Sequence, residues 1–191
     1  MRRWTVGLIA ALAAALAATP AQAAVTVVGG GMARDCYEAV DEGGQIGPAL
    51  EMCNLALEQE RLTRRDRAAT LVNRGILRMR QASFEAAMRD YEESLRLEPN
   101  LMEAQVNLGA ALYGLKRYPE ALVALNEGIK SEDLKARAVA YYNRALTQEH
   151  LGQVEEAYYD FKQALALDPD FDDASRQLDR FQVVASPSPE S

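Results

Sequence analysis

The fold is decided by the stretch AATLVNRGILRMRQASFEAAMRDYEESLRLEPNL, residues 68–101, because its pattern recurs twice downstream. A shift of 34 residues aligns it with residues 102–137, and a further shift of 36 aligns it with residues 138–171. Self-similarity at such a period predicts an array of stacked repeats. The recurring positions are an Asn, a small Ala, a large apolar or aromatic residue, and a Leu or Ile: Asn73, Asn107, Asn143; Ala87, Ala121, Ala157; Tyr91, Leu125, Phe161; and Leu95, Ile129, Leu165.

Each unit has the periodicity of two amphipathic helices. Apolar residues recur three and four positions apart, as in Leu122, Leu125 and Ile129, which places them on one face of a helix. Two extra residues near 130–135 explain the longer second spacing, and we expect them in a loop. One unit cannot bury its apolar face alone, so stacking against its neighbours would form the core.

The three units resemble tetratricopeptide repeats. The resemblance lies in small residues at fixed offsets, such as Gly75, Gly109 and Ala145, together with the Ala, aromatic and closing Pro positions. It implies an all-α protein, a right-handed α-solenoid of antiparallel helix pairs. Arg74, Arg144 and Asp133 depart from the family pattern.

The array has flanking segments on both sides. Residues 32–66 resemble a degenerate amino-terminal helical hairpin, and residues 172–183 should form a capping helix, followed by a disordered tail, 184–191, and we expect no sheet. Cys36 and Cys53 fall on the two helices of the first hairpin. In an oxidising compartment two such cysteines favour a structural disulfide over a redox-active pair, which is more often a C-x-x-C motif.

The first 23 residues have the pattern of a secretory signal peptide. Arg2 and Arg3 precede a short apolar run, and Ala21 and Ala23 form an A-x-A cleavage motif. We expect cleavage after Ala23, a flexible Gly-rich linker over 24–31, and export to the periplasm. No Cys follows the site, which disfavours a lipid anchor, and we expect no membrane insertion after cleavage.

The charge excludes some classes of partner. Removal of Arg2 and Arg3 from 21 basic residues leaves 19 against 28 acidic residues, a formal charge of −9. Such a chain repels the phosphates of nucleic acid and anionic lipid, whereas a basic segment of a protein is easier to accommodate.

The sequence offers no catalytic motif. It contains no glycine-rich phosphate loop or nucleophile motif, and His150 is the only histidine, without a second ligand at metal spacing. We therefore expect a non-enzymatic protein without cofactor or metal.

The repeated Asn residues, Asn73, Asn107 and Asn143, are the candidate binding residues, called here the Asn ladder. In the family their offset faces the concave surface, and an amide can pair with the backbone of an extended peptide whatever its side chains. Alternatively, each Asn stabilises its own repeat by bonding a neighbouring carbonyl. The remaining candidates for the groove are apolar or aromatic: Val72, Ile76, Val106, Tyr113, Tyr142 and Leu146.

These observations predict a protein-protein interaction module or adaptor of the cell envelope that binds a protein or an extended peptide in its concave groove. The alternative is a structural or assembly subunit that forms a homo-oligomer through its end units or convex face. Family members that bind acidic carboxy-terminal tails carry lysines at neighbouring groove offsets. Here those offsets hold Ala69, Val72, Glu103 and Val106, which does not support that specificity.

Overall fold

The computed structural model describes residues 4–8, 19–28 and 30–185, with residues 4–8 and 182–185 as backbone alone. Its described elements are two strands and nine helices in the following order: β1 Trp4–Leu8, α1 Met32–Asp41, α2 Ile46–Gln59, α3 Arg64–Arg80, α4 Phe84–Leu97, α5 Met102–Gly114, α6 Tyr118–Gly128, α7 Leu134–His150, α8 Val154–Leu167, α9 Asp172–Leu178 and β2 Phe181–Ala185.

The helices pack as successive pairs, which confirms the expected solenoid. Helices α3 and α4, α5 and α6, and α7 and α8 form the three units, and α1 and α2 form the hairpin before them. The two extra residues lie in the loop between α6 and α7. None of the helices among the described residues is long and apolar enough to cross a membrane.

Close crossing of the two helices requires glycine in the first two units. A Cβ at Gly75 would lie 2.4 Å from Cε1 of Tyr91, and one at Gly109 would lie 2.4 Å from Cγ of Leu125. Both distances are shorter than any tolerated carbon contact, so the large residue of the second helix fills the space that glycine leaves open.

The departures at Arg74 and Arg144 have a structural reason, because each Arg pairs with an Asp on the second helix of its own unit. Arg74 contacts Asp90 at 2.7 Å, and Arg144 contacts Asp160 at 2.6 Å, with both carboxylates buried. In the second unit the same two offsets hold Leu108 and Ala124. An ion pair and an apolar pair thus occupy equivalent places in one fold.

The turn within each unit ends its first helix with a residue in the left-handed region. Ala82, Lys116 and Gly152 occupy equivalent offsets with φ of 55°, 60° and 77°. Glycine adopts this conformation without strain, so Gly152 suits the carboxy-terminal end of α7, while Ala82 and Lys116 adopt it at some cost.

The expectation of no sheet was wrong. Strands β1 and β2 pair antiparallel, from Trp4 opposite Ala185 to Leu8 opposite Phe181. The expected capping helix 172–183 is also shorter than predicted, since α9 ends at Leu178 and the chain then turns into β2. Residues 184 and 185 of the expected disordered tail belong to that strand, and residues 186–191 lie outside the described residues. Periodicity over so few residues did not distinguish a last helical turn from a strand.

The linker expectation for residues 24–31 was wrong over its first part. Residues 24–28 lie extended against the helices, and the backbone N–H of Val28 donates to Asp66 Oδ1 at 3.1 Å. Of the expected signal peptide, residues 4–8 form β1, residues 19–23 lie in the groove described below, and residues 1–3 and 9–18 lie outside the described residues.

Tyr91 offers a test of the packing between helices. Its ring is fully buried, and its hydroxyl has no hydrogen-bond partner among the described residues, so burial raises the pKa of Tyr91 well above its usual value. Tyr91→Phe should therefore raise the free energy of unfolding by about 1 kcal/mol, as measured by urea denaturation, because an unpaired buried hydroxyl is removed. The third unit already has Phe161 at this offset.

Tyr142→Phe is the matched control, since the Tyr142 hydroxyl donates to the carbonyl of Thr19 at 3.3 Å and its loss should not stabilise the protein. A decrease in the free energy of unfolding on Tyr91→Phe would contradict this, because it would mean that the Tyr91 hydroxyl makes a hydrogen bond.

Candidate groove for an extended peptide

The Asn ladder lies on the first helices of the three units, α3, α5 and α7. All three Asn side chains are fully buried. A stretch of the chain itself, Thr19 to Val28, here called the groove segment, runs across them. The ladder and the groove segment together define the candidate site.

Each amide of the ladder makes two hydrogen bonds to one residue of the groove segment. The amide of Asn143 accepts from the N–H of Ala21 at 2.9 Å and donates to its carbonyl at 2.8 Å. Asn107 makes the same two bonds to Ala23, at 3.0 and 2.7 Å. Asn73 makes them to Val25, at 3.1 and 2.8 Å. A carboxamide offers the same donor and acceptor as a neighbouring β-strand would.

The pattern advances by two residues of the groove segment for each repeat. Alternate residues of an extended chain present their N–H and C=O to the same side, so Ala21, Ala23 and Val25 face the ladder with their backbone groups. The direction is fixed as well, because Ala21 lies at the third unit and Val25 at the first. Two roles were considered for the Asn residues: binding of an extended backbone, and stabilisation of their own repeat. The hydrogen bonds described above join each amide to the backbone of the groove segment, as the first role requires.

The apolar candidates divide into two groups. Ile76 lines a cavity beside Ala24, and Leu146 belongs to the cluster against which Ala21 packs, so both lie along the groove. Val106 instead points into its own unit, since a Cβ at Gly128 would lie 2.7 Å from Cγ2 of Val106. Its counterpart Val72 is part of the buried core. Val72 belongs to the same buried cluster as Ile76, and Ala24 and Val25 of the groove segment pack against that cluster, so the placement of Val72 and Val106 on the groove floor stays a prediction.

The two tyrosines also differ. Tyr142 packs against Phe161 and Phe171, and its hydroxyl reaches the groove segment at Thr19. The Tyr113 hydroxyl lies 2.9 Å from Nε2 of His150. Burial, with a smaller contribution from Tyr118, raises the pKa of Tyr113 to about 12. Tyr113 therefore belongs to an aromatic cluster with His150 and Tyr118.

Asp66 is a contact residue that the sequence did not indicate. It is buried, and its carboxylate also accepts from the hydroxyl of Thr63 at 2.7 Å. Residues 100 and 136, at the same offset in the next units, are Asn and Ala, so no repeated pattern marked the position.

One wall of the groove is acidic. A cavity of about 560 Å³ beside the groove segment is lined by four carboxylates and one ammonium, from Asp41, Glu103, Asp133, Asp168 and Lys135. Glu103 accepts from the Ser131 hydroxyl at 2.9 Å, and Asp133 caps α7. Among the described residues no group of His, Cys, Asp and Glu could hold a metal ion. The wall therefore favours cationic side chains of a bound peptide.

Comparisons with known proteins agree with this architecture. Residues 138–171, the third unit, match the family model of the tetratricopeptide repeat. The Hsp70-Hsp90 organizing protein of Triticum aestivum is 32% identical over 87 residues, which make up 46% of this chain and 15% of that protein. The chain thus corresponds to a small part of that relative.

Solved structures show the same fold at lower identity. MamA from Desulfovibrio magneticus, from residue 41 to its end, has a TM-score of 0.60 and 23% identity, over 78% of this chain and 82% of that chain. The second repeat domain of human RPAP3, in complex with the HSP70 peptide SGPTIEEVD, has a TM-score of 0.55 and 21% identity, over 61% of this chain and 96% of that chain. These similarities establish the fold of the described helices.

Proposed function

We propose that the concave groove of this chain, whose third unit matches the tetratricopeptide-repeat model, binds an extended segment of a partner protein. The observation that carries the proposal is the Asn ladder, in which three buried amides each make a pair of hydrogen bonds to the backbone of an extended chain. Backbone pairing supplies affinity, and the side chains between the paired residues supply specificity. The protein then acts as an interaction module and carries out no reaction.

The chemistry of the groove favours a basic or neutral partner segment. The human RPAP3 domain is in complex with a peptide that ends in Glu-Glu-Val-Asp. In this chain the offsets where family members carry lysines hold Ala69, Val72, Glu103 and Val106, and Glu103 lies on the acidic wall. A partner with Lys or Arg beside its paired residues would place those charges against the wall, whereas an acidic tail would be repelled.

We further propose that the protein works in the cell envelope after export. The support is the signal-peptide pattern of residues 1–23 and the Cys36–Cys53 disulfide, because such bonds persist in oxidising compartments. The partner would then be another protein of the periplasm.

The central residue of the ladder provides the test. An in-cell crosslink from the groove, followed by mass spectrometry, would identify the partner. Asn107→Ala should then weaken its binding by about 1 to 3 kcal/mol, because the partner's backbone groups lose their donor and acceptor in a buried place. Binding should be measured by calorimetry on folded protein.

Asn126→Ala is the matched control, since this Asn lies outside the groove and bonds the guanidinium of Arg144 at 2.8 Å. Equal affinity for the partner in both variants would contradict binding at the ladder. A crosslink that joins two copies of this chain would instead favour the self-associating subunit.

A further inference from the structure

We infer that the groove segment is an intramolecular ligand that closes the groove, so that a partner segment can bind at Asn143 and Asn107 only after Ala21 and Ala23 have left. The inference rests on the proposed function, because it takes the same groove as the partner's site. It adds what occupies that site and how it becomes free.

The first step is that the groove segment occupies the whole ladder. Its backbone takes the donor and the acceptor of all three Asn amides. Ala23 is 9% exposed and Val27 is 2% exposed, so the segment is buried against the helices at these two residues. A second extended chain could not use the same amides at the same time.

The second step is competition. The groove segment is connected to α1 through a few residues, so its local concentration at the groove is fixed by a short tether. A tether of this kind gives an effective concentration in the millimolar range. A separate peptide with similar contacts would therefore bind poorly to the closed groove.

The third step concerns the predicted cleavage after Ala23. A cut at that bond would separate Ala21 and Ala23, which pair with Asn143 and Asn107, from Val25, which pairs with Asn73. The remaining residues keep two contacts, at Asn73 and at Asp66. The processed protein would thus have two free ladder positions and one that is still filled.

The groove segment also indicates what can replace it. The residues that pair with Asn143 and Asn107 are both Ala, and the segment runs from the third unit towards the first. A partner segment of matching chemistry has small residues two positions apart, in an extended backbone of the same direction. Ala21, Gln22, Ala23 and Ala24 all line the cavity beside the acidic wall, so side chains of a partner at and between these positions would lie near its carboxylates.

The test uses the full chain and a fluorescent peptide with the sequence of residues 19–28, TPAQAAVTVV. The double variant Ala21→Pro with Ala23→Pro removes the two N–H donors without adding charge, since proline has no backbone N–H. Fluorescence anisotropy should show that the peptide binds the double variant at least about tenfold more tightly than the wild-type chain, because the groove is released. Addition of Asn107→Ala to the double variant should reverse that gain.

Thr26→Pro is the matched control, because Thr26 is exposed and lies between the paired residues. It should leave the binding of the peptide as weak as in the wild type. Hydrogen exchange provides the second measurement: the side-chain amide protons of Asn143 and Asn107, which donate to the carbonyls of Ala21 and Ala23, should be protected in the wild type and should exchange rapidly in the double variant.

Equal binding of the peptide by the wild type and the double variant, or protection that survives the two prolines, would overturn the inference. No binding to any variant, with circular dichroism showing intact helices, would also overturn it. In each case the effect of Asn107→Ala on the crosslinked partner still decides the proposed function separately.

Discussion

Replacement of Asp90 by Ala is expected to lower the free energy of unfolding by about 3 kcal/mol. Asp90 accepts from Arg74 and from Arg78, each at 2.7 Å, and its side chain is only 4% exposed. The substitution leaves two guanidinium groups, 18% and 25% exposed, without their carboxylate. Removal of one partner of a buried ion pair costs about 3 to 5 kcal/mol, and the partial exposure of both Arg side chains favours the lower end.

The second unit supplies the compensating variant. At the offsets of Arg74, Arg78 and Asp90 it has Leu108, Leu112 and Ala124. The triple variant Arg74→Leu, Arg78→Leu, Asp90→Ala should therefore recover most of the loss, because no unpaired charge stays buried and apolar side chains take its place. Urea denaturation of the single and triple variants measures both effects.

Glu127→Ala serves as the control, since its pair with Lys130 is exposed and such pairs contribute little. A triple variant no more stable than Asp90→Ala would show that the first unit cannot accept the apolar arrangement of the second.

Loss of the disulfide is expected to have an effect of similar size. Cys36 and Cys53 are fully buried and joined, with their Cα atoms 5.0 Å apart and a sequence separation of 17. The double variant Cys36→Ala, Cys53→Ala should lower the free energy of unfolding by about 3 kcal/mol, because the unfolded chain regains the freedom of that loop. Thiol counting on protein exported in vivo should find no free thiol in denaturant before reduction.

Dithiothreitol provides the control for this effect. It should destabilise the wild type by about the same amount and leave the double variant unchanged. Two reactive thiols in the exported wild type would contradict the bridge.

Much of the solenoid could be predicted because its signals repeat. Gly75, Gly109 and Ala145 recur at one offset, and a spacing that is met three times in phase leaves few alternative folds. The disulfide could be predicted equally well, since each Cys falls on a different helix of one hairpin. The departures at Arg74 and Arg144 could not be explained from the pattern of one helix, because their partners lie 16 residues away on the second helix of the same unit.

The groove was only half predictable. The position of the Asn ladder follows from the repeat, but its occupant has neither helical nor alternating periodicity, and residues 19–28 resembled a cleavage site and a linker. The same short run of small residues fits a protease and a narrow groove, since both accept an extended backbone with small side chains.

The groove segment also changes how the array comes apart. In an open stack each repeat touches only its neighbours, so the end units fray first and stability is a sum of local terms. Here the backbone of the groove segment is hydrogen-bonded to the first, second and third units in turn. Strand β1, which precedes the segment in the sequence, lies against α8. Opening of the last unit then requires the rupture of its bonds to a segment that is also bonded to the first and second units. The chain with the groove segment bound should unfold in a single cooperative transition. Release of that segment should allow the end units to unfold first, as in an open array.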